Sequence, residues 1–177
     1  MLKLTKKADY GLIALKHLAM RSHPEHGEWS ESANAREIAD TYGVPLPLLS
    51  KILQRLARAG FLRSEHGTNG GYRLARDPRT ITALEVIRTI DGPIILTACF
   101  TEHGGHECHH SEKCIVREPL RKVHEGILSL LKSISIADMS DPEMNISVDT
   151  RASARLYGLS PAAVVPPPKH ESIVRDI

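Results

Sequence analysis

All three cysteines of the chain fall in one stretch, CFTEHGGHECHHSEKC, from Cys99 to Cys114, together with His103, His106, His109 and His110. Thiolate and imidazole are metal donors, so this stretch could hold a metal centre. Eight residues separate Cys99 from Cys108 and five separate Cys108 from Cys114, without the CxxC knuckles of common zinc sites. A looser zinc site can still be drawn from these cysteines with His106, His109 or His110. Three thiolates in a loop containing Gly104 and Gly105 suit an iron–sulfur cluster equally well. A nucleophilic cysteine would need a base and a substrate pocket, and no motif marks either. Three thiols cannot all pair within one chain, and a reducing compartment leaves thiols free. Spacing alone leaves zinc and iron–sulfur chemistry open.

At 177 residues and 41% hydrophobic, the chain can bury a core of one domain plus appendages. The net charge is +2 and the first half is mildly basic. That balance suits a polyanionic partner and an ordinary solvated surface alike. No apolar run approaches the roughly 20 residues that span a bilayer. The N-terminus begins basic and then apolar, but Asp9, Lys16 and His17 break it as a signal peptide. The expected location is the cytoplasm.

Several elements must position the cysteine stretch. Apolar residues at three- and four-residue steps (Ala8, Leu12, Leu15, Leu18, Ala19) predict a helix over 7–21. Asn34 and Glu37 form a capping-box pattern for a short helix over 34–41. Gly43 supplies a tight turn, Pro45 opens a further helix, and Gly60 closes it near Ala59. That helix has an apolar stripe of Leu49, Ile52, Leu53 and Leu56. Ser50, Lys51, Gln54, Arg55 and Arg58 lie on its other side. A helix, a short turn and a second helix with a polar, basic face fit a major groove, although a solvated surface helix carries the same pattern.

The next segment, FLRSEHGTNGGYRLA, reads as two strands (Phe61 and Leu62; Tyr72 and Leu74) around a tip of Thr68, Asn69, Gly70 and Gly71. A hairpin directly after a helix-turn-helix makes a winged helix. Thr82 and Glu85 then start another helix with a capping box, ending near Asp91-Gly92. Pro93 to Ala98 connects it to Cys99. After Cys114 a long helix runs to Ser133. Val116, Leu120, Val123, Ile127, Leu131 and Ile134 share one face, widened by Leu128 and Leu130, which suits packing against its own domain or pairing with the same helix of a second subunit.

The fold class is thus mainly α: a winged helix-turn-helix domain with a long C-terminal dimerisation helix. The expected organisation is a DNA-binding domain over 1–92, a connector and cysteine-rich loop over 93–114, a dimerisation helix over 115–139 and a flexible tail over 140–177.

The blocks LTKKADYGLIAL, AREIADTYGVPLPLLSKILQRLARAGFLRS and GGYRLAR, followed by three cysteines, resemble the family of winged-helix regulators that includes IscR and NsrR. The resemblance covers about residues 1–139. Within that family, DGPIILTAC, the loop ending CIVREPL and the closing ISIADM are most similar to regulators of SUF-type iron–sulfur cluster assembly. The resemblance implies a cytoplasmic homodimer, joined through the helix near 115–134 and bound to double-stranded promoter DNA, with no membrane partner. It implies an iron–sulfur cluster, [2Fe-2S] or [4Fe-4S], held by Cys99, Cys108 and Cys114. Asp9 is the first candidate for a fourth ligand, because it aligns with an aspartate that reaches the cluster from the opposite subunit in the nitric-oxide-sensing branch. The loop histidines, with Glu102, Glu107 and Glu112, are the others.

Two positions depart from the family pattern. His66-Gly67 stands where Arg-Gly often opens the wing, and Arg117 stands where one branch has a ligating histidine. The groove residues are expected to be Ser50, Lys51, Gln54, Arg55 and Arg58, with Thr68 and Asn69 on the wing. The expected function is transcription control by cluster state, with no enzymatic activity. Nitric-oxide sensing, a clusterless zinc or thiol loop on the same DNA-binding frame, and a redox enzyme or electron carrier are the alternatives.

Overall fold

The computed structural model describes residues 4–21, 31–67, 70–97, 100 and 113–141. In chain order they form α1 (Lys6–Met20), α2 (Ala35–Tyr42), α3 (Leu46–Arg58), β1 (Leu62–Ser64), β2 (Tyr72–Leu74), a 3₁₀ turn (Pro78–Thr80), α4 (Ala83–Asp91), α5 (Arg117–Ser133) and α6 (Ile136–Ser140). Helices α1, α3 and α4 pack together, with α2 on α3 and α6 on α1.

Local chemistry fixes the ends of these elements. The Thr5 hydroxyl caps α1 by accepting from the Ala8 amide at 3.3 Å, and donates to Asp91 Oδ1 at 2.6 Å. One side chain thus joins the start of α1 to the end of α4. The buried face of α1 is Ala8, Gly11, Ala14, Leu15 and Leu18, whereas Leu12 and Ala19, expected inside, are half-buried. Small residues are what close packing requires. A Cβ on Gly11 would stand 2.2 Å from Ile90 Cδ1 of α4.

Asn34 caps α2 by accepting from the Glu37 amide at 2.8 Å. The reciprocal arm of the expected capping box is replaced: Arg21, at the end of α1, pairs with the Glu37 carboxylate. A charge-assisted guanidinium bond outcompetes a neutral amide. His17 stands beside this pair, its Nδ1 3.2 Å from the Tyr42 hydroxyl. Burial pushes its pKa below the ordinary range, against the pull of Glu37 and with a smaller push from Arg21. Gly43 takes φ 63°, the left-handed conformation that turns α2 into α3. The expected stripe of Leu49, Ile52, Leu53 and Leu56 is buried.

The wing pairs β1 with β2 antiparallel, with Leu62 opposite Leu74 and Ser64 opposite Tyr72. Ala33, just before α2, bridges to the other edge of β2, exchanging amide–carbonyl bonds of 3.0 and 2.9 Å with Tyr72. Gly71 is needed for this approach: a Cβ there would stand 2.5 Å from the Ala33 carbonyl oxygen and 2.7 Å from its carbon. Gly71→Ala is therefore expected to cost about 1–3 kcal/mol, as backbone has to move to relieve the overlap. Urea unfolding measures the loss, and a change within 0.5 kcal/mol, on the order of an ordinary surface substitution, would contradict it.

Helix α5 has no buried residue. Ile127 and Leu131 turn inward and line a cavity of about 400 Å³ with Leu4, Ile87 and Ile95. Val116 and Val123 of the same apolar stripe are 53% and 42% exposed. The helix stops at Ser133, as its pattern predicts and short of the 139 boundary drawn for the dimerisation segment. Ile134 gives its carbonyl to the Ala83 amide at 2.8 Å, and the Ile136 amide donates to Ile81 at 2.9 Å. Ser135 and Asp138 cap α6 reciprocally, and Ile136 is fully buried. ISIADM is thus an anchor in the winged-helix core, not the end of the long helix. From residue 142 the expected tail lies outside the described residues.

Candidate nucleic-acid interface and cysteine segment

Helix α3 turns Lys51, Gln54, Arg55 and Arg58 to solvent and leaves Ser50 half-buried beside them. All five stand on the side away from Leu49, Ile52, Leu53 and Leu56, as 3.6-residue periodicity requires. Arg63 of β1 is also exposed, while Arg73 of β2 is held by Glu65 at 2.6 Å. Thr68 and Asn69 lie outside the described residues. The turn beside them is closed by paired backbone bonds between Glu65 and Gly71, at 2.8 and 3.1 Å, and by the Gly70 amide on the Gly67 carbonyl at 2.9 Å. Pro47, absent from the expected groove residues, is exposed at the start of the same stripe. Its signal was the three- and four-residue step to Ser50 and Lys51.

Cys99 and Cys108 lie outside the described residues, as do His103, His106, His109, His110, Glu102, Glu107 and Glu112. Cys114 is a free, half-buried thiol directly before α5, and its carbonyl accepts the Arg117 amide at 3.4 Å. Phe100, next to Cys99 in sequence, stacks on His124 of α5 with ring centroids 5.4 Å apart and planes 27° apart. The chain therefore meets the first half of α5 both after Cys99 and at Cys114. No sequence signal marked the Phe100–His124 contact. Asp9 is half-buried in the first turn of α1, its amide on the Thr5 carbonyl at 3.1 Å. Among the described residues, no group of three His, Cys, Asp or Glu side chains could hold a metal ion. No described helix is long and apolar enough to cross a membrane.

A helix-turn-helix with an outward polar and basic stripe, followed by a paired hairpin, defines a winged-helix DNA-binding regulator of transcription. The family model of Rrf2, described as an iron-dependent transcriptional regulator, matches residues 4–142. The chain belongs to the Rrf2 family. It is 32% identical over 139 residues to an rrf2-like HTH-type transcriptional regulator of Rhodobacter capsulatus, covering 77% of this chain and 91% of that one. Among solved structures it is similar to CymR, the global cysteine regulator of B. subtilis, at 28% identity and TM-score 0.64, over 79% of this chain and 97% of that one. It is also similar to T. potens IscR, at 29% identity and TM-score 0.58, over 78% and 85%. These relatives are regulators of transcription, which sets aside a redox enzyme or electron carrier.

Proposed function

We propose that the chain is a cytoplasmic, homodimeric regulator that reads promoter DNA with α3 and the wing, and holds an iron–sulfur cluster through Cys99, Cys108 and Cys114. The genes it controls would be those of cluster assembly. The observation that carries this reading is the place of Cys114: a free thiol at the head of a helix that leaves Val116 and Val123 of its apolar stripe exposed, within an Rrf2 winged-helix frame. The donor chemistry fits, since three thiolates on one short segment are soft ligands for iron and sulfide. When bound, the cluster supplies a centre that oxidants destroy, so its presence or loss is the signal. The residues of the chain carry that signal onward. The far end of α5 is fastened to Ile81 and Ala83 through Ile134 and Ile136, so a shift of α5 is passed to the domain that bears α3.

Anaerobic purification with iron and acid-labile sulfide analysis tests the reading. The expected product is brown, contains both elements, and bleaches in air. A colourless protein with one tightly held zinc per chain would overturn it in favour of a zinc loop.

The outward stripe of α5 is the proposed dimer face. Val123→Glu puts a charge in its middle and is expected to give a monomer in sedimentation, because a buried unpaired charge is costly. A dimer that persists would place the interface elsewhere. On DNA, Lys51→Ala or Arg58→Ala should weaken binding to all sequences and lower the salt slope by about one unit. Gln54→Ala should instead cost roughly 1–3 kcal/mol at one base pair and relax specificity there.

A further inference from the structure

Pro47, Lys51, Gln54 and Arg58 follow one another along α3 at three- and four-residue steps, opposite its buried stripe. Pro47 is exposed, whereas Leu46 and Leu48 on either side pack against the core. The start of this helix is poor in hydrogen-bonding groups. Pro45 occupies the cap position and makes no side-chain cap bond. Its carbonyl accepts the amides of both Leu48 and Leu49 at 3.0 Å. Pro45 and Pro47 have no N–H of their own.

A recognition helix presents its N-terminal residues to base edges in the major groove. Polar side chains there read the donors and acceptors of guanine, adenine and cytosine. Pro47 offers only ring methylenes. The one apolar group on a major-groove base edge is the C5-methyl of thymine. We infer that Pro47 reads a thymine methyl in each half-site and is a specificity-determining residue of the interface.

The inference rests on α3 being the groove helix. The proline ring has no side-chain rotamer freedom to lose on contact. Opposite the amino group of cytosine or adenine, the same ring would cover a donor and leave it without a partner, so it also selects against those bases.

The test uses the full-length chain, purified anaerobically, and an operator selected by that chain from random duplexes. Each thymine of the selected half-site is exchanged for deoxyuridine, which removes the methyl alone. One exchange in each of the two half-sites should weaken the wild type about 15-fold, about fourfold for each buried methyl. Pro47→Ala should bind the thymine and deoxyuridine duplexes equally, and Pro47→Ser serves the same comparison if the alanine variant folds poorly. Gln54→Ala should retain the sensitivity to that methyl while relaxing another position. If Gln54→Ala relaxes the site but no deoxyuridine exchange weakens the wild type, or if Pro47→Ala keeps the wild-type loss, the inference fails and the groove assignment stands. If neither variant alters the selected site, the groove assignment fails and takes the inference with it.

Discussion

Cys114→Ala is expected to leave the anaerobically purified protein nearly free of iron and sulfide. Removing a mere supporting residue of a metal site lowers affinity by about 10- to 100-fold, and removing a ligand costs at least as much. The exchange also opens one iron to water and oxidant. The fold itself should be little affected. Cys114 is half-buried, makes no disulfide, and only its backbone carbonyl is engaged with Arg117, accepting that residue's amide. A substitution of that kind changes stability by about 0.5 kcal/mol or less. Thermal unfolding of the metal-free variant and the metal-free wild type should therefore coincide. Promoter affinity should no longer differ between preparations made with and without iron. Full retention of iron and sulfide by the variant would remove Cys114 from the ligand set, and with it the proposed role of the head of α5.

Much of the winged helix was legible because its signals are local. The caps Asn34 and Thr82, the turn at Gly43 and the two faces of α3 each depend on residues within one or two turns. Tertiary contacts explain what was missed. Glu37 abandons its capping box because Arg21, 16 residues earlier, arrives beside it. Gly11 is buried because Ile90 of α4 packs against it, while Leu12 and Ala19 stay half-buried at the edge of the core. Ala33 joins the wing through its backbone, which composition does not reveal. The candidate site was legible by residue type. The cysteines announce soft-metal chemistry, but their spacing does not choose a metal. Cys114 alone of the three is among the described residues. On the DNA face, the polar stripe was visible and Pro47 was passed over, since a proline in the first turn reads as a helix-start signal.

The second large effect is expected at Ile136. The apolar pattern ends the long helix at Ser133, where it does end, although the dimerisation segment was drawn on to 139; the chain turns at Ile134 and sets the Ile136 side chain fully inside the core. Helix α6 packs on α1 and on the 3₁₀ turn, and the backbone on either side of Ser135 bonds to Ile81 and Ala83. Ile136→Ala removes buried methylenes from the core cluster, and should cost about 2–5 kcal/mol. Urea unfolding should show the loss as a lower midpoint with an unchanged slope, as expected when stability alone changes. A second readout separates this anchor from an ordinary core residue. Leu53→Ala, also fully buried but in α3 and away from α6, should cost a similar amount. Both variants can be compared below their unfolding midpoints for the difference in promoter affinity between iron-loaded and iron-free protein. Leu53→Ala should weaken DNA binding in both forms. Ile136→Ala should instead shrink the difference between the forms, because α5 is then held less firmly to the domain that carries α3. A loss below about 1 kcal/mol would deny the anchor. A full loss of stability with an undiminished iron-dependent difference would show that the signal does not reach α3 through the Ile136 anchor.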